Sequence, residues 1–338
     1  MVREPLHAPV AHLVRGDMIE GIHYGSVVVL AADGRVELQI GDIEAAFCPR
    51  SALKPLQAVA LVRAGLPLEG ELLALAAGSH SGEERHLAAT RRILDLAGLD
   101  EDALRNRTDM PYDPVVRESW IRQARLPSRI AQHCSGMHAA MLLTARLRGW
   151  PLEDYLDAAH PLQRAVAERV EELTGQRIAQ VTADGCGAPL FSISLHGLAR
   201  AAARIATAAP GTAEARVADA MCGHPEMASG SGRDVASLMR AVPGLLTKDG
   251  SEGVQVAALG DGRAVAVKIA DGGERARVPV TAAALARCGV ALVAVAQFAS
   301  RPVLGGDAVV GRLCPARALA LGATGAPAVA AAWTPFGP

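Results

Sequence analysis

The sequence predicts a three-layer α/β/α sandwich with a mostly antiparallel sheet and an inserted helical lobe. A hairpin near each end of the chain and a long helical stretch between them carry that reading. Ser26 to Ile40 reads as the first hairpin, with Val27-Val28-Val29-Leu30 as one strand, Asp33-Gly34 at the turn and alternating Val36, Leu38 and Ile40 as the return. Val254 to Leu259 pairs in the same way with Ala264 to Ile269 across Asp261-Gly262, placing Lys268 in the return strand. Between them the apolar spacing is helical over Leu53 to Ala64, Glu83 to Ala97, His138 to Leu147, Pro161 to Leu173, Pro189 to Ile205, Ala213 to Cys222 and Arg233 to Ala241. A further helix from about Thr281 into Val295 and a strand at Ala308 to Leu313 close the chain. Strands from both ends share one sheet, with terminal helices on one face and the helical lobe on the other. The chain reads as a single domain, in which 10–45 and 250–338 form the sheet lobe and 51–249 is mainly helical.

The chain has 338 residues, half of them hydrophobic but only 3% aromatic, so Ala, Val and Leu must build a sizeable core. A net charge of −1 argues against a nucleic-acid surface or a polybasic membrane patch and for a small-molecule partner. Met1 to Gly16 carries Arg3, Glu4 and Arg15 and lacks an apolar signal stretch, and no window is apolar enough to span a membrane, which predicts a cytoplasmic protein. In that compartment Cys48, Cys134, Cys186, Cys222, Cys288 and Cys314 read as thiols or metal ligands rather than disulfides.

Of the 34 basic residues only Lys54, Lys248 and Lys268 are lysines. Where arginine has replaced lysine almost everywhere, a surviving lysine marks a place arginine cannot fill. Arginine cannot lose its proton in a protein, whereas a buried lysine can shift its pKa and serve as a base. Lys54 follows Ser51 by three residues in Arg50-Ser51-Ala52-Leu53-Lys54-Pro55, at the start of a predicted helix with Leu53, Leu56 and Ala60 on one side and Gly65 as its stop. That spacing lets an amine take the proton of a hydroxyl nucleophile. Ser79-His80-Ser81 follows, and Lys268 comes on a late strand. The order is that of S-x-x-K, S-D-N and K-T-G in the β-lactamase and penicillin-binding serine enzymes. Lys248 precedes Asp249-Gly250 in an apparent turn and has no assigned role.

Longer stretches make the chain resemble the asparaginase II family, typified by the thermolabile rhizobial L-asparaginases. They are Val14-Arg15-Gly16 with Glu20 and His23, Arg50 to Pro55, Ser79-His80-Ser81-Gly82-Glu83, Ser119-Trp120-Ile121, Cys134-Ser135-Gly136-Met137-His138, Thr182-Ala183-Asp184-Gly185-Cys186, His224-Pro225-Glu226-Met227, Gly232-Arg233 and Val267 to Gly272. The resemblance implies a fold similar to serine β-lactamases and penicillin-binding enzymes, hydrolysis of L-asparagine to L-aspartate and ammonia, and a homodimer. It implies Ser51 as nucleophile, Lys54 as its base and Ser79 with Lys268 as a second pair, and no organic cofactor. Two lysines held close together lower each other's pKa, so one can be neutral near pH 7. Ser51 N–H, at a helix start, is the candidate oxyanion donor.

The resemblance further implies zinc beside the substrate, held by Cys134, Cys186 and a lysine, with Asp184 nearby. Met137 occupies the lysine position, and a thioether is a weak, soft ligand that suits copper(I) better than zinc, leaving His138, Asp184 or water to complete a site. Arg50, Glu83, Asp184, Arg233 and Glu252 are candidates to hold the substrate's α-carboxylate or α-ammonium. Two other functions are compatible with these residues: a serine acyl-transfer hydrolase acting on glutamine, a β-lactam or another amide, or a non-catalytic zinc or thiol module built on the two cysteines.

Overall fold

The computed structural model describes residues 4–319. Residues 1–3 and the part of the expected 250–338 lobe beyond 319 lie outside them. The strands are β1 (Ala8–Arg15), β2 (Met18–Leu30), β3 (Val36–Ile40), β4 (Ala46–Phe47), β5 (Gln180–Ala183), β6 (Pro189–Ser194), β7 (Leu246–Gly250), β8 (Val254–Ala258), β9 (Ala264–Ile269), β10 (Arg301–Gly305) and β11 (Ala308–Pro315). The helices are α1 (Lys54–Arg63), α2 (Gly70–Ala76), α3 (Glu84–Leu96), α4 (Pro114–Arg122), α5 (Ser135–Arg148), α6 (Pro161–Thr174), α7 (Leu195–Ala206), α8 (Ala213–Gly223), α9 (Pro225–Ala228), α10 (Asp234–Ala241), α11 (Glu274–Arg287) and α12 (Leu292–Val295).

The main sheet runs β10-β11-β1-β2-β9-β8-β7, with β3 also paired to β2, and every pairing is antiparallel. Both expected hairpins are present in it. Strand alternation separates two apolar layers. Val27, Val29, Val265 and Val267 pack with Ala276, Val280 and Ala284 of α11, while Val28, Leu30, Ala264 and Ala266 face the helical lobe, with Leu56 and Val59 of α1 among their cluster. Each such buried Val or Leu is worth about 1.5–3 kcal/mol over an exposed one, so a one-residue slip of β2 would forfeit both faces at once. The result is the expected three-layer α/β/α arrangement.

The structure corrects three local expectations. Pro189 to Ile205 is not one helix: Pro189–Ser194 is strand β6, buried at all six positions and paired with both β4 and β5, and the helix begins at Leu195 behind the Ser194 cap. A run buried on every side carries no period by which to tell strand from helix. The late helix starts at Glu274 rather than near Thr281 and ends at Arg287, with Gly289 in the left-handed region separating it from α12. Lys248-Asp249-Gly250 is not a turn but the end of β7. Among the described residues no helix is long and apolar enough to cross a membrane.

Ser51 lies in a 3-10 turn, Arg50–Leu53, that runs directly into α1, whose first turn contains Pro55. Nine of the ten α1 residues are buried, which carries Lys54 and Gln57 into the interior with the apolar ones. Strand β7 packs against this turn. A Cβ on Gly250 would collide with the Pro49 carbonyl oxygen and lie 3.1 Å from Ala52 N, so only glycine allows the strand to come this close to Ser51. Gly250→Ala is expected to lower stability by about 1–3 kcal/mol, as overpacking does, and to reduce turnover disproportionately. Denaturant midpoints alongside rates at saturating substrate check this: a stability loss with unchanged rate would mean the strand has no part in setting the site.

Candidate active site

Ser51 borders two cavities. The larger, about 260 Å³, is walled by Ser51, Ser79, Tyr112, His133, Arg233, Asp249, Ser251, Glu252, Gly272 and Glu274. The smaller, about 10 Å³, is walled by Arg50, Ser51, Lys54, Gln57, Cys134, Met137, His138, Met141, Asp184, Cys186, Ala188, Pro189 and Leu190. Hence the two serines read from the sequence meet at one cavity, while Lys54 approaches Ser51 from the other.

Each group is held by backbone contacts from separate parts of the chain. Lys54 Nζ donates to Gly78 O at 2.5 Å, which ties α1 to the loop carrying Ser79. Gly78 must be glycine, since a Cβ there would overlap Ala228, and Ser79 N–H donates to Ala228 O at 2.9 Å. Ser79 Oγ is buried with no hydrogen-bond partner, a costly state unless a ligand or water completes it. Lys54 N–H donates to Ser51 O, but among the described residues no hydrogen bond joins the Ser51 hydroxyl to the Lys54 amine; such contacts often close only when substrate is bound. Arg50, preceding the nucleophile candidate, has φ 54°, and Glu252, on the cavity wall, has φ 66°. Left-handed backbone at a non-glycine residue on the wall of each of the two cavities that meet at Ser51 is strain of the kind that collects at functional sites.

The second lysine is not the one expected. Lys268 Nζ donates to Glu252 O and Ile269 O, each at 2.6 Å, and Lys268 is not a wall of the cavity that holds Ser79. The expected Ser79–Lys268 pair is therefore not formed; the ammonium instead steadies the strained Glu252 turn. Lys248 occupies the interior position. It is wholly buried and donates to Asp249 O at 2.7 Å and Oδ1 at 2.5 Å. Burial pulls its pKa down from 10.5 to about 8 against the pull of Asp249, and the Lys54 charge adds to the lowering. The like-charge pair is thus Lys54 with Lys248. Burial raises the Asp249 carboxyl, but Arg233, Lys248 and Arg277 outweigh it and hold its pKa well below 3.8.

The expected substrate-binding residues divide. Arg233 and Glu252 are on the larger cavity; Arg233 pairs with Asp249, donates to Ser79 O at 2.9 Å and lies 4.5 Å above the Tyr112 ring. Arg50 and Asp184 pair with each other at 2.5 Å and wall the small cavity instead. Glu83 is on neither: it caps α3, and its carboxylate accepts from Ser231 N–H at 2.8 Å and the Ser231 hydroxyl at 3.0 Å. Its expected contact with substrate gives way to holding two loops together. Tyr112, Asp249, Ser251 and Glu274 were not singled out in the sequence. Tyr112 is one of only three tyrosines, and such scarcity was the available signal.

Cys134 and Cys186 do come together, with Cys186 donating a hydrogen bond that holds the Cys134 thiol well below its usual pKa of 9.0. Met137 is buried beside them on the same cavity. Two thiols and a thioether do not amount to a zinc site, and among the described residues no three His, Cys, Asp or Glu side chains are grouped to hold a metal ion. The residues present do not fit zinc.

A cavity bordered by two serines, with a buried amine behind one of them, thus stands on an antiparallel α/β/α fold. The sequence profile of the L-asparaginase II family matches residues 11–315, and the chain belongs to that family. Family membership points to an amidohydrolase. Among solved structures it is similar to EstCE1, a hydrolase with promiscuous acyltransferase activity, at 13% identity over 72% of this chain and 88% of that one, with a TM-score of 0.40. It is also similar to a beta-lactamase from Mycobacterium bovis, at 15% identity over 79% of this chain and 95% of that one, with a TM-score of 0.38. No curated protein sequence matches it.

Exchange of lysines tests the assignment. Lys248→Arg is expected to cost at least roughly 10²-fold in kcat, because arginine cannot give up a proton, and Lys268→Arg only a few-fold. The native rate should rise with pH toward about 8 as Lys248 loses its proton, and Lys248→Arg should lack that limb. The same depressed pKa costs stability at neutral pH that returns as pH rises from about 8 to 10.5. Equal losses at both positions would remove Lys248 from the site. For the metal, native protein dialysed against a mild chelator should retain well under one zinc per chain and Met137→Lys distinctly more; one firmly held zinc in the native protein would overturn this.

Proposed function

We propose that the protein hydrolyses L-asparagine to L-aspartate and ammonia through a β-aspartyl ester on Ser51, as a rhizobial-type member of its family. The observation that carries this reading is the position of Ser51 between the larger cavity and the buried Lys54. Substrate enters the larger cavity, whose walls suit an amino acid: Arg233 for the carboxylate and Glu252 and Glu274 for the ammonium.

Lys54 takes the Ser51 proton as Oγ attacks the side-chain amide carbon. The oxyanion then needs donors already in place. Ser51 N–H, in the first turn of its 3-10 helix, has no acceptor within that helix, and Ser251 N–H follows the Gly250 contact at the end of β7. Ser79 Oγ, otherwise unpartnered, passes a proton to the departing amine, and the Lys54–Lys248 pair supplies it. Lys248 acts through Lys54 and Asp249 without touching substrate.

Ser51→Ala should fold with near-native stability and lose at least roughly 10³-fold in ammonia release. The assay takes native and variant protein with asparagine, glutamine and a β-lactam in parallel. Ring opening without ammonia release would replace the amidohydrolase reading by a β-lactam-recognising one, and a variant retaining more than a few per cent of the rate would exclude Ser51 as nucleophile.

A further inference from the structure

The smaller cavity at Ser51 is too small for a substrate, but its volume of about 10 Å³ is close to what a single water needs. His138, wholly buried near the start of α5, is one of its walls. Its Nδ1 is 2.8 Å from the Tyr155 hydroxyl, which lies outside that wall and also accepts the Arg105 backbone N–H at 3.0 Å. Since the phenol oxygen already accepts from Arg105, its own hydrogen is the one shared with His138. Nδ1 is then the acceptor, and the neutral ring carries its hydrogen on Nε2. The opposite tautomer would leave both Nε2 and the phenol hydrogen unpaired in the interior. Nε2 is buried with no partner, so a lone N–H donor borders a one-water cavity that Ser51 and Lys54 also border.

We infer that this cavity holds the water that hydrolyses the Ser51 ester, with His138 Nε2–H donating to its oxygen and Lys54 accepting its proton. The inference rests on Ser51 being the nucleophile. The water oxygen bonds to the acyl carbon as its proton passes to the neutral Lys54 amine. The bond from that carbon to Ser51 Oγ then breaks, and Oγ recovers the proton from Lys54, releasing the acid. His138 keeps its own hydrogen throughout and is a positioning residue. Met137 beside it offers the water no donor.

The test separates the two half-reactions. His138→Phe should acylate normally, release about one ammonia per chain in a rapid-quench burst, and then turn over roughly 10²-fold more slowly, the cost of a misplaced reactant. KM should fall with kcat, and intact mass should show the aspartyl adduct on Ser51; His138→Gln, which retains an N–H donor, should recover most of the lost rate. Burst and steady state falling together with no adduct would overturn the inference. Should His138→Phe not fold, a high-resolution crystal structure of the native protein decides: one ordered water about 2.8–3.2 Å from Nε2 supports it and none overturns it. Native protein that releases no ammonia from any amide removes the amidohydrolase reading and this inference with it, whereas native turnover combined with an adduct-free His138→Phe removes this inference alone.

Discussion

The carboxylate of Asp249 ties the layers of this molecule together at the site. It stands at the end of β7, the last strand of the path through the main sheet, and is held by Lys248 at 2.5 Å and by Arg233 from the loop before α10. Arg277, buried on α11, adds its charge and links Asp234 at 2.7 Å and Glu274 at 2.7 Å to the same network. One carboxylate thereby joins the sheet, the inserted lobe and the outer helix. Removing one partner of such a buried group strands the remaining charge, typically at about 3–5 kcal/mol, so the network fixes geometry more strongly than its net contribution to stability suggests. Because Arg233 also reaches Ser79 O and Gly250 follows Asp249, both serines inherit their positions from this one ion cluster.

Two strained residues complete that frame. Arg50 and Glu252 both adopt positive φ, and each is clamped by a charge: Arg50 by Asp184, Glu252 by the Lys268 ammonium on its carbonyl. Backbone strain of about 1–3 kcal/mol per residue persists only where the surroundings over-determine it. Here the surroundings are the 3-10 turn carrying Ser51 on one side and the hairpin linking β7 and β8 on the other. Strain on either side of Ser51, one residue on each of its two cavities, is in keeping with a site that must have its donors placed in advance.

Much of this was legible in the sequence where one face of an element meets the core and the other does not. The alternation of Val36, Leu38 and Ile40 predicts a strand because those positions turn inward while Glu37 and Gln39 face solvent, as they do in the structure. The Ser51 to Lys54 spacing likewise identifies the helix start. What could not be read were segments whose burial is two-sided or polar. Lys248-Asp249-Gly250 looks like a turn because its polar residues suggest solvent, yet all five residues of β7 are buried, with partners in Gln255, Val256 and Arg233 that no local pattern contains. Motif order along the chain points to Lys268 as the second lysine, whereas burial on β7 singles out Lys248, and two-sided burial likewise hides the boundary between β6 and α7.

Lysine retention in an arginine-rich chain therefore has more than one physical cause. Lys54 and Lys248 are enclosed, at 4% and 0% exposure, and burial lowers the Lys248 pKa, a response open to an amine and closed to a guanidinium. Lys268 is half-buried and reaches two carbonyl oxygens at 2.6 Å, a convergent geometry that a compact tetrahedral donor satisfies and a flat fork does not. Burial lowers its pKa as well, but its contacts are those of a geometric fit. The scarcity of a residue type marks the positions where its shape or its titration is needed, and only the partners around each position tell the two apart.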